Sequence, residues 1–508
     1  MIELSAAEIA AITRGALTPA AAARQTLAVT SVSVDSREVK AGGLFVAKPG
    51  DTADGHQFVP QAFRNGAVLA LVEHPVPQEQ PDGPGEYPAV VVDDVVLAMG
   101  RLAAEVVRRL RAHSPLTVIG ITGSAGKTTT KDLLAGILAE QAPTVAPIGS
   151  YNGEVGVPLT VFSAEYGTRY LIIEMGATKI GQITYLADMV APDIGVVLGV
   201  GSAHAGEFGG VDNIARAKSE LVRALPASGT AVINADDARV LAMKSVTAAQ
   251  RLYFTSDSSQ LPDGGPTVRA TAVTTTVEGY PAFDLVVPAA DGGTTTYPVT
   301  AKLIGTHQIT NLLAAASVAS ALGIPGHDIA AALSRLQAQS RWRMERSERA
   351  DGVTIINDAY NANPESMRAA LRTLAELGRG RRTWAVLGEM LELGEDSINE
   401  HDAVGRVVVR LNITKLLVVG MGARALYNGA VLEGSWGDEV LFAADVAEAE
   451  TMLTAALLPG DLVLFKSSNG SGLRFLGDRI ALSSTEPTTA MPGTSAPGPT
   501  DLQGGPQL

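Results

Sequence analysis

Residues 116–130 read LTVIGITGSAGKTTT, an apolar run that opens into a glycine-flanked loop, then a lysine and three threonines. A buried strand running through a small glycine loop into a helix is a phosphate-holding device. Backbone N–H groups freed by Gly123 and Gly126 turn inward around phosphate oxygens. Ser124 and Ala125 complete the loop. Lys127 reaches the terminal phosphates, and Thr128, with Thr129 beside it, sets a hydroxyl on Mg²⁺. The strict pattern G-x-x-x-x-G-K-[ST] needs glycine at 121, where this chain has Ile121, so the loop is a shortened form, G-x-x-G-K-T. The helix is expected from about Lys131.

Outward from the loop, YLIIEMG, IGVVLGV and AVINA alternate with helical stretches. Continuous apolar runs of this kind predict a parallel sheet covered on both faces. A β-rich insertion is expected over 267–303, with turns at Glu278-Gly279 and Asp291-Gly292-Gly293. Beyond 340 a second series, GVTIIND, TWAVLGE, KLLVVG and DLVLFK, describes a further, Rossmann-like α/β domain. Before the loop, SVSVDSREV, GGLFVAKPG, VLALVE and AVVVDD are short strands of a small α/β domain, followed by the helix VLAMGRLAAEVVRRLRAH. The expected fold class is therefore α/β in three domains, at 1–113, 114–338 (a P-loop ATPase domain with a mainly parallel sheet) and 339–483. The remainder, 484–508, is rich in Pro, Gly, Ser and Thr and is expected to be a disordered tail.

The chain has 508 residues, 46% hydrophobic and 18% charged, enough for several cores. With no cysteine it has no disulfide framework, zinc-thiolate site or thiol nucleophile, and it suits a reducing compartment. The start, MIELSAAEIAAITRG, lacks the basic and apolar regions of a signal peptide. No stretch approaches the ~18 apolar residues of a membrane helix. A net charge of -14 argues against nucleic acid as the main partner. The expectation is a cytoplasmic protein with no membrane insertion, acting on small molecules.

A phosphate loop needs its metal held. Glu174 ends the strand LIIEMG, where an acidic group commonly meets Mg²⁺. His204, just past the next strand, is either a metal or phosphate contact or an ordinary loop histidine. In GVDNIARAKSELVRAL, a helical period places Ile214, Ala217, Leu221, Val222 and Leu225 on one face. Lys218 falls inside that arc, whereas Arg216, Ser219, Glu220 and Arg223 point away. A lysine there snorkels outward, is paired, or is modified; carbamylation by CO₂ would make it an acidic metal ligand. Asn311, in GTHQITNLLAAASVAS, reads an adenine edge or caps its helix. NDAYNANPESM gathers Asp358, Asn361 and Asn363 at a turn, which such residues also favour for backbone reasons.

Together these segments resemble the Mur ligases, the ATP-dependent amide-forming enzymes of peptidoglycan precursor synthesis. The resemblance spans roughly 30–475 and rests on SVDSREV, GGLFVAKPGDTADGHQF, TGSAGKTTT, YNGEVGVPLT, EMGA, AHAGEFGGVDNIARAKSEL, GTHQITN, NDAYNANPESM and VLGEMLELGEDSINEH. It implies that Gly123 to Thr129 hold ATP and that Thr128 and Glu174 bind one Mg²⁺. It further implies a second Mg²⁺ at His204 and a carbamylated Lys218, adenine at Asn311, phosphates at Arg343 and ribose at Asp358. Ser36, Arg37, Asp54, Gly55 and His56 would lie on the UDP-sugar side, making 1–113 the domain for the UDP-muramyl substrate. Asn152 would lie on the muramyl-peptide side. Asn361, Asn363, Lys466 and Ser467 would lie near an incoming D-Ala-D-Ala. Lys127, Lys218, His204 and Arg343 would be the catalytic set of a monomeric, ADP-forming ligase in cell-wall biogenesis. Its acceptor would be a UDP-MurNAc-tripeptide. The chain departs from the family at Gly153, Asn357 and FKSSNG. Competing readings are a ligase of the same superfamily that adds another amino acid or extends folate with glutamate, and a non-catalytic nucleotide switch.

Overall fold

The computed structural model describes residues 1–50, 53–80, 83–201, 205–257, 261–263, 265–289, 291–434 and 437–483. The expected tail at 484–508 and His204 lie outside them.

The strand that opens the phosphate loop, Thr117–Thr122, is an interior strand, third from one edge, of a nine-stranded sheet. It pairs in parallel with Tyr170–Glu174 on one side and Ile194–Val197 on the other. Its side chains alternate between two cores. Val118 joins the cluster holding Leu102, Val106 and Leu221, whereas Ile119 and Ile121 join the one holding Leu133, Leu134 and Leu312. Burial on both faces is why the segment reads as an unbroken apolar run rather than an alternating one. The phosphate-loop helix begins at Lys127, not near Lys131: Gly126 is in the left-handed region (φ 83°), so the first turn starts at the next residue and takes in the lysine and threonines.

The expected β-rich insertion is an extension of this sheet. Thr267–Thr275 pairs in parallel with Gln250–Thr255, and Pro281–Pro288 and Thr294–Thr300 follow antiparallel through the two anticipated turns. The amino-terminal five-stranded sheet runs Ala16–Leu17, Ala89–Val91, Ala67–Val72, Gly43–Val46, Ser31–Ser33. The helix Val95–His113, capped by Asp94 Oδ1 on the N–H groups of Val96 and Leu97, packs against Gly156–Val161 and Gln182–Val190 of the next domain. This helix forms the seam: one apolar cluster runs from Ile2 through Met99 to Met175 and Leu221.

The last domain has a six-stranded sheet in the order Glu345–Glu348, Thr354–Asn357, Leu462–Lys466, Thr383–Leu387, Lys415–Val419, Val440–Ala443. Four of these strands match the apolar runs. Glu345–Glu348 does not, because ERSE is an antiparallel edge strand with no apolar alternation to betray it. Asn357, which departs from the family, donates through Nδ2 to Arg474 O (2.8 Å) and Asp478 Oδ1 (3.2 Å), contacts that an aspartate there could not make.

Both large sheets direct their C-terminal strand ends at the same space. There the loop after Thr122, Glu174 and Leu198–Gly201 of one domain confront Asp358 and Lys466 of the other. Strand ends at a point where strand order reverses are where open α/β sheets bind ligands. The two domains also touch directly where Gly206, in the short helix Ala205–Phe208, meets Gly394 (φ 59°) with no room for a Cβ on either.

Candidate active site

A cavity of about 1150 Å³ lies between the three domains. On its floor the phosphate loop is tied down by Ser124 N to Gly199 O (3.0 Å) and Gly201 N to Ser124 Oγ (2.9 Å). Lys127 folds back over the loop, donating to Gly123 O at 2.7 Å. Gly126 combines its positive φ with close approach of the Asn311 carbonyl, so a Cβ there would be both strained and obstructed. Gly126→Ala is therefore expected to weaken ADP binding at least ~10-fold by calorimetry while the protein stays folded, since the strain falls on a loop. Unchanged ADP affinity would place the phosphates elsewhere.

Thr128 is the centre of the polar network. Its Oγ1 donates to Glu174 Oε2 (3.0 Å), lies 2.9 Å from Ser150 Oγ and accepts from Arg343 Nη2 (3.1 Å). Arg343 Nη2 also donates to Ser150 Oγ at 3.0 Å, and its guanidinium lies over the Tyr360 ring, 4.4 Å from the centroid. Glu174, 1% exposed, receives only neutral donors, Thr128 and the Asn152 amide at 2.8 Å. No cationic side chain among the described residues pairs with it within 4.0 Å. Buried charges are paired or bind metal, and a carboxylate beside a hydroxyl is a hard-oxygen donor set, so these residues fit Mg²⁺. Conversely, Arg343 has no carboxylate partner among the described residues, and its buried Nε lacks a hydrogen bond. With Lys127 it forms a cationic wall suited to an anion.

Lys218 sits in Val211–Arg223, 4% exposed, and borders the same cavity. Burial, aided by the nearby Lys127 charge, lowers its pKa to about 7. Ser219 and Glu220, expected to point away from the apolar arc, are also buried: Glu220 accepts from the N–H groups of Gly181 (2.6 Å) and Thr184 (2.9 Å) at the start of the earlier helix Gln182–Val190, and Ser219 Oγ donates to Arg216 O (2.7 Å).

Asn311 is not a cap. It stands inside the helix Gln308–Ala321, accepting from Thr130 Oγ1 (3.3 Å) and donating to Gln308 Oε1 (2.7 Å) against the phosphate loop. Asp358 pairs with Lys466 Nζ at 2.6 Å and accepts from Met344 N at 3.1 Å, and the lysine is 2% exposed. Asn363 does cap: it forms a capping box with Ser366 at Pro364–Leu377, and its Nδ2 reaches Ser124 O of the phosphate loop at 3.4 Å. Asn361 borders the cavity, exposed. Ser467 is turned inward, donating to Ser468 O, and Asn469 borders the cavity instead.

The amino-terminal candidates lie away from this cavity, to which their domain contributes Val34, Lys48 and Val96. Ser36 is buried on Gln61 (3.2 Å), and Arg37 is exposed on Asp35 (2.6 Å). Gly55 packs on the backbone of Lys48. His56 Nδ1 is 2.6 Å from Asp54 Oδ1, and its Nε2 accepts from Glu73 N at 2.9 Å. Both ring nitrogens of His56 are thus engaged, and its ring stacks on that of His74 with 4.0 Å between centroids. Several cavity groups escaped the sequence reading, Ser150 and His307 among them. Ser150 carries no motif. His307, whose pKa burial lowers to about 4, sits unremarked beside Asn311 in GTHQ.

Family profiles match in three successive stretches: "Mur ligase family, catalytic domain" at 28–107, "Mur ligase middle domain" at 121–319 and "Mur ligase, glutamate ligase domain" at 342–469. The UDP-N-acetylmuramoyl-tripeptide–D-alanyl-D-alanine ligase of Mycobacterium tuberculosis is 43% identical, covering 96% of this chain and 99% of its own. The Escherichia coli protein of that name is 33% identical over 84% of this chain and 88% of its own. Among solved structures, MurF from Acinetobacter baumannii superposes with a TM-score of 0.79 at 30% identity, over 95% of this chain and 99% of that one. MurF from Thermotoga maritima in complex with ADP gives 0.72 at 27%, over 89% and 97%.

Proposed function

The chain belongs to the Mur ligase family, and from that premise we propose that it joins D-Ala-D-Ala to UDP-N-acetylmuramoyl-tripeptide with hydrolysis of ATP to ADP and phosphate. The observation that carries the reading is the convergence, in one cavity, of a phosphate loop, a buried unpaired carboxylate and an arginine delivered by the next domain. A carboxylate is a poor acyl donor. Its attack on the γ-phosphoryl group of ATP releases ADP and gives an acyl phosphate; the dipeptide amine then attacks the carbonyl carbon, expelling phosphate and losing a proton.

Lys127 and Arg343 neutralise charge on the transferred phosphoryl group, and the loop N–H groups orient it. Thr128 and Glu174 would hold one Mg²⁺, and Lys218, once carbamylated, a second together with His204. When bound, the metal withdraws charge from the phosphate oxygens. Asp358, steadied by Lys466, takes the ribose, and Asn311 lies on the adenine side of the loop. Asn152 faces the peptide substrate; Asn361 and Asn363 face the dipeptide. Three domains meeting on the cavity exclude the water that would hydrolyse the acyl phosphate. Domain limits at 113 and 338 fit this division of labour. The protein works as a cytoplasmic monomer without nucleic acid, in keeping with its soluble nucleotide substrates and net charge of -14.

The test is phosphate release with Mg²⁺-ATP and UDP-muramyl-tripeptide, with and without D-Ala-D-Ala, with the product weighed by mass spectrometry. Release requiring both substrates and yielding the pentapeptide is expected. Hydrolysis indifferent to the dipeptide, with no amide formed, would sink the reading.

A further inference from the structure

Thr128, Lys131 and Asp132 occupy positions i, i+3 and i+4 of the phosphate-loop helix and so share one face. At the cavity end of that face, Thr128 is joined to Ser150 (2.9 Å) and Arg343 (3.1 Å). One turn further on, a second joint repeats the connection. Lys131, 2% exposed, donates from Nζ to Pro147 O (2.7 Å) and Gly149 O (3.4 Å). It is also paired with Asp132 Oδ1 at 2.6 Å, while Asp132 Oδ2 accepts from Ser340 N at 3.1 Å. The same three segments are thus tied twice: the helix, the loop 147–150 and the interdomain connection 340–343.

The two joints differ in what a ligand does to them. The first borders the cavity, and on the ligase reading its hydroxyls and guanidinium are the groups that phosphate and metal would engage, so it would exchange partners when nucleotide binds. The second does not border the cavity. A buried ion pair is a poor source of net stability, because desolvation offsets most of its attraction, but it can fix relative position.

We propose that the Lys131–Asp132 pair is a positioning strut that keeps Ser150 and Arg343 in register on the phosphate loop while their own mutual contacts are exchanged for ligand. The proposal rests on the ligase reading. It predicts an effect on turnover rather than on nucleotide affinity, because misplacement of about 1 Å in a reacting assembly lowers rate by about 10²-fold.

The test uses the full-length double variant Lys131→Met/Asp132→Asn, which removes the pair without leaving one buried charge alone. Expected are a kcat reduced about 10²-fold, an ADP Kd within about 3-fold of wild type (well inside the tenfold that 1.4 kcal/mol represents), and faster hydrogen exchange across 147–150 and 337–343 with ADP bound. A folded double variant with wild-type kcat and wild-type exchange protection overturns the proposal. So does an ADP affinity that falls in step with kcat, since the pair would then act on binding. If the double variant does not fold, Asp132→Asn alone, which keeps size and one acceptor oxygen, carries the same comparison. Failure of the ligase reading is separately visible as absent wild-type amide formation, while ADP affinity and exchange still report on the strut.

Discussion

Lys218→Ala is expected to lower amide formation by at least ~10³-fold, the upper range for loss of one preorganised electrostatic group, without unfolding the protein. The argument starts from burial. An ammonium on the apolar arc of Val211–Arg223, with no carboxylate partner among the described residues, is unfavourable. Its pKa near 7 means that at pH 8 most of the amine is neutral, which is the form that adds CO₂. Carbamylation would replace a disfavoured cation by an anion facing the cavity. Three outcomes follow together. Activity should depend on bicarbonate at pH 8 and fall, with more bicarbonate needed to restore it, as pH drops through 7 and the amine protonates. Acetate should partly restore Lys218→Ala by supplying the missing charge, whereas Lys218→Arg should not respond. Labelled bicarbonate should give a carbamate carbon resonance absent from the variant. Full activity of rigorously CO₂-depleted enzyme would rule out the modification. For the unmodified amine the linkage runs in a definite direction. The folded pKa lies below the ordinary lysine value of 10.5, so unfolding takes up a proton between pH 7 and 10.5, and stability rises with pH across that window. Lys218→Met should flatten that slope.

Arg343→Ala is expected to reduce kcat by ~10³-fold or more, within the range for an arginine that stabilises phosphoryl transfer, and ADP affinity by less than about 10-fold. Arg343 comes from the segment that begins the last domain, yet its Nη2 bonds Thr128 and Ser150 of the central one. It is therefore in place only when the domains are together. The planar guanidinium, seated over Tyr360, has a geometry that an ammonium does not reproduce, so Arg343→Lys should recover little. Equal losses in ADP binding and kcat would instead make it a ground-state nucleotide contact. An unchanged kcat would remove it from the phosphates altogether.

Groups that act within their own segment were legible in the sequence. Glycines in a strand-to-helix turn, an acidic residue at a strand end and a lysine inside an apolar arc each carry a local signature. The structure brings Lys127, Thr128, Glu174 and Lys218 to one cavity. Ser150 had no such signature, because a serine in a loop is ordinary until Thr128 and Arg343 are seen on either side of it. Lys131 and Asp132 carry no local signature either, and only the packing of 147–150 and 340–343 over them shows that they are buried. The motif matches at Ser36 to His56 are informative about family. In the structure, though, the imidazole and carboxylate there serve their own loop, and Lys48 is the charged group that their domain presents to the cavity.

The sequence by itself determined the phosphate loop and the main apolar strands, which depend on periodicity and spacing within about a dozen residues, and its motifs from SVDSREV to VLGEMLELGEDSINEH carried the resemblance to the family. Tertiary structure alone decided that Arg343 reaches Thr128, that Asn363 caps its helix against Ser124, and that Gly206 faces Gly394. Those partners are separated by well over a hundred residues. Their meeting depends on how two sheets direct their strand ends at one space, a result of packing whole apolar faces that no short segment encodes.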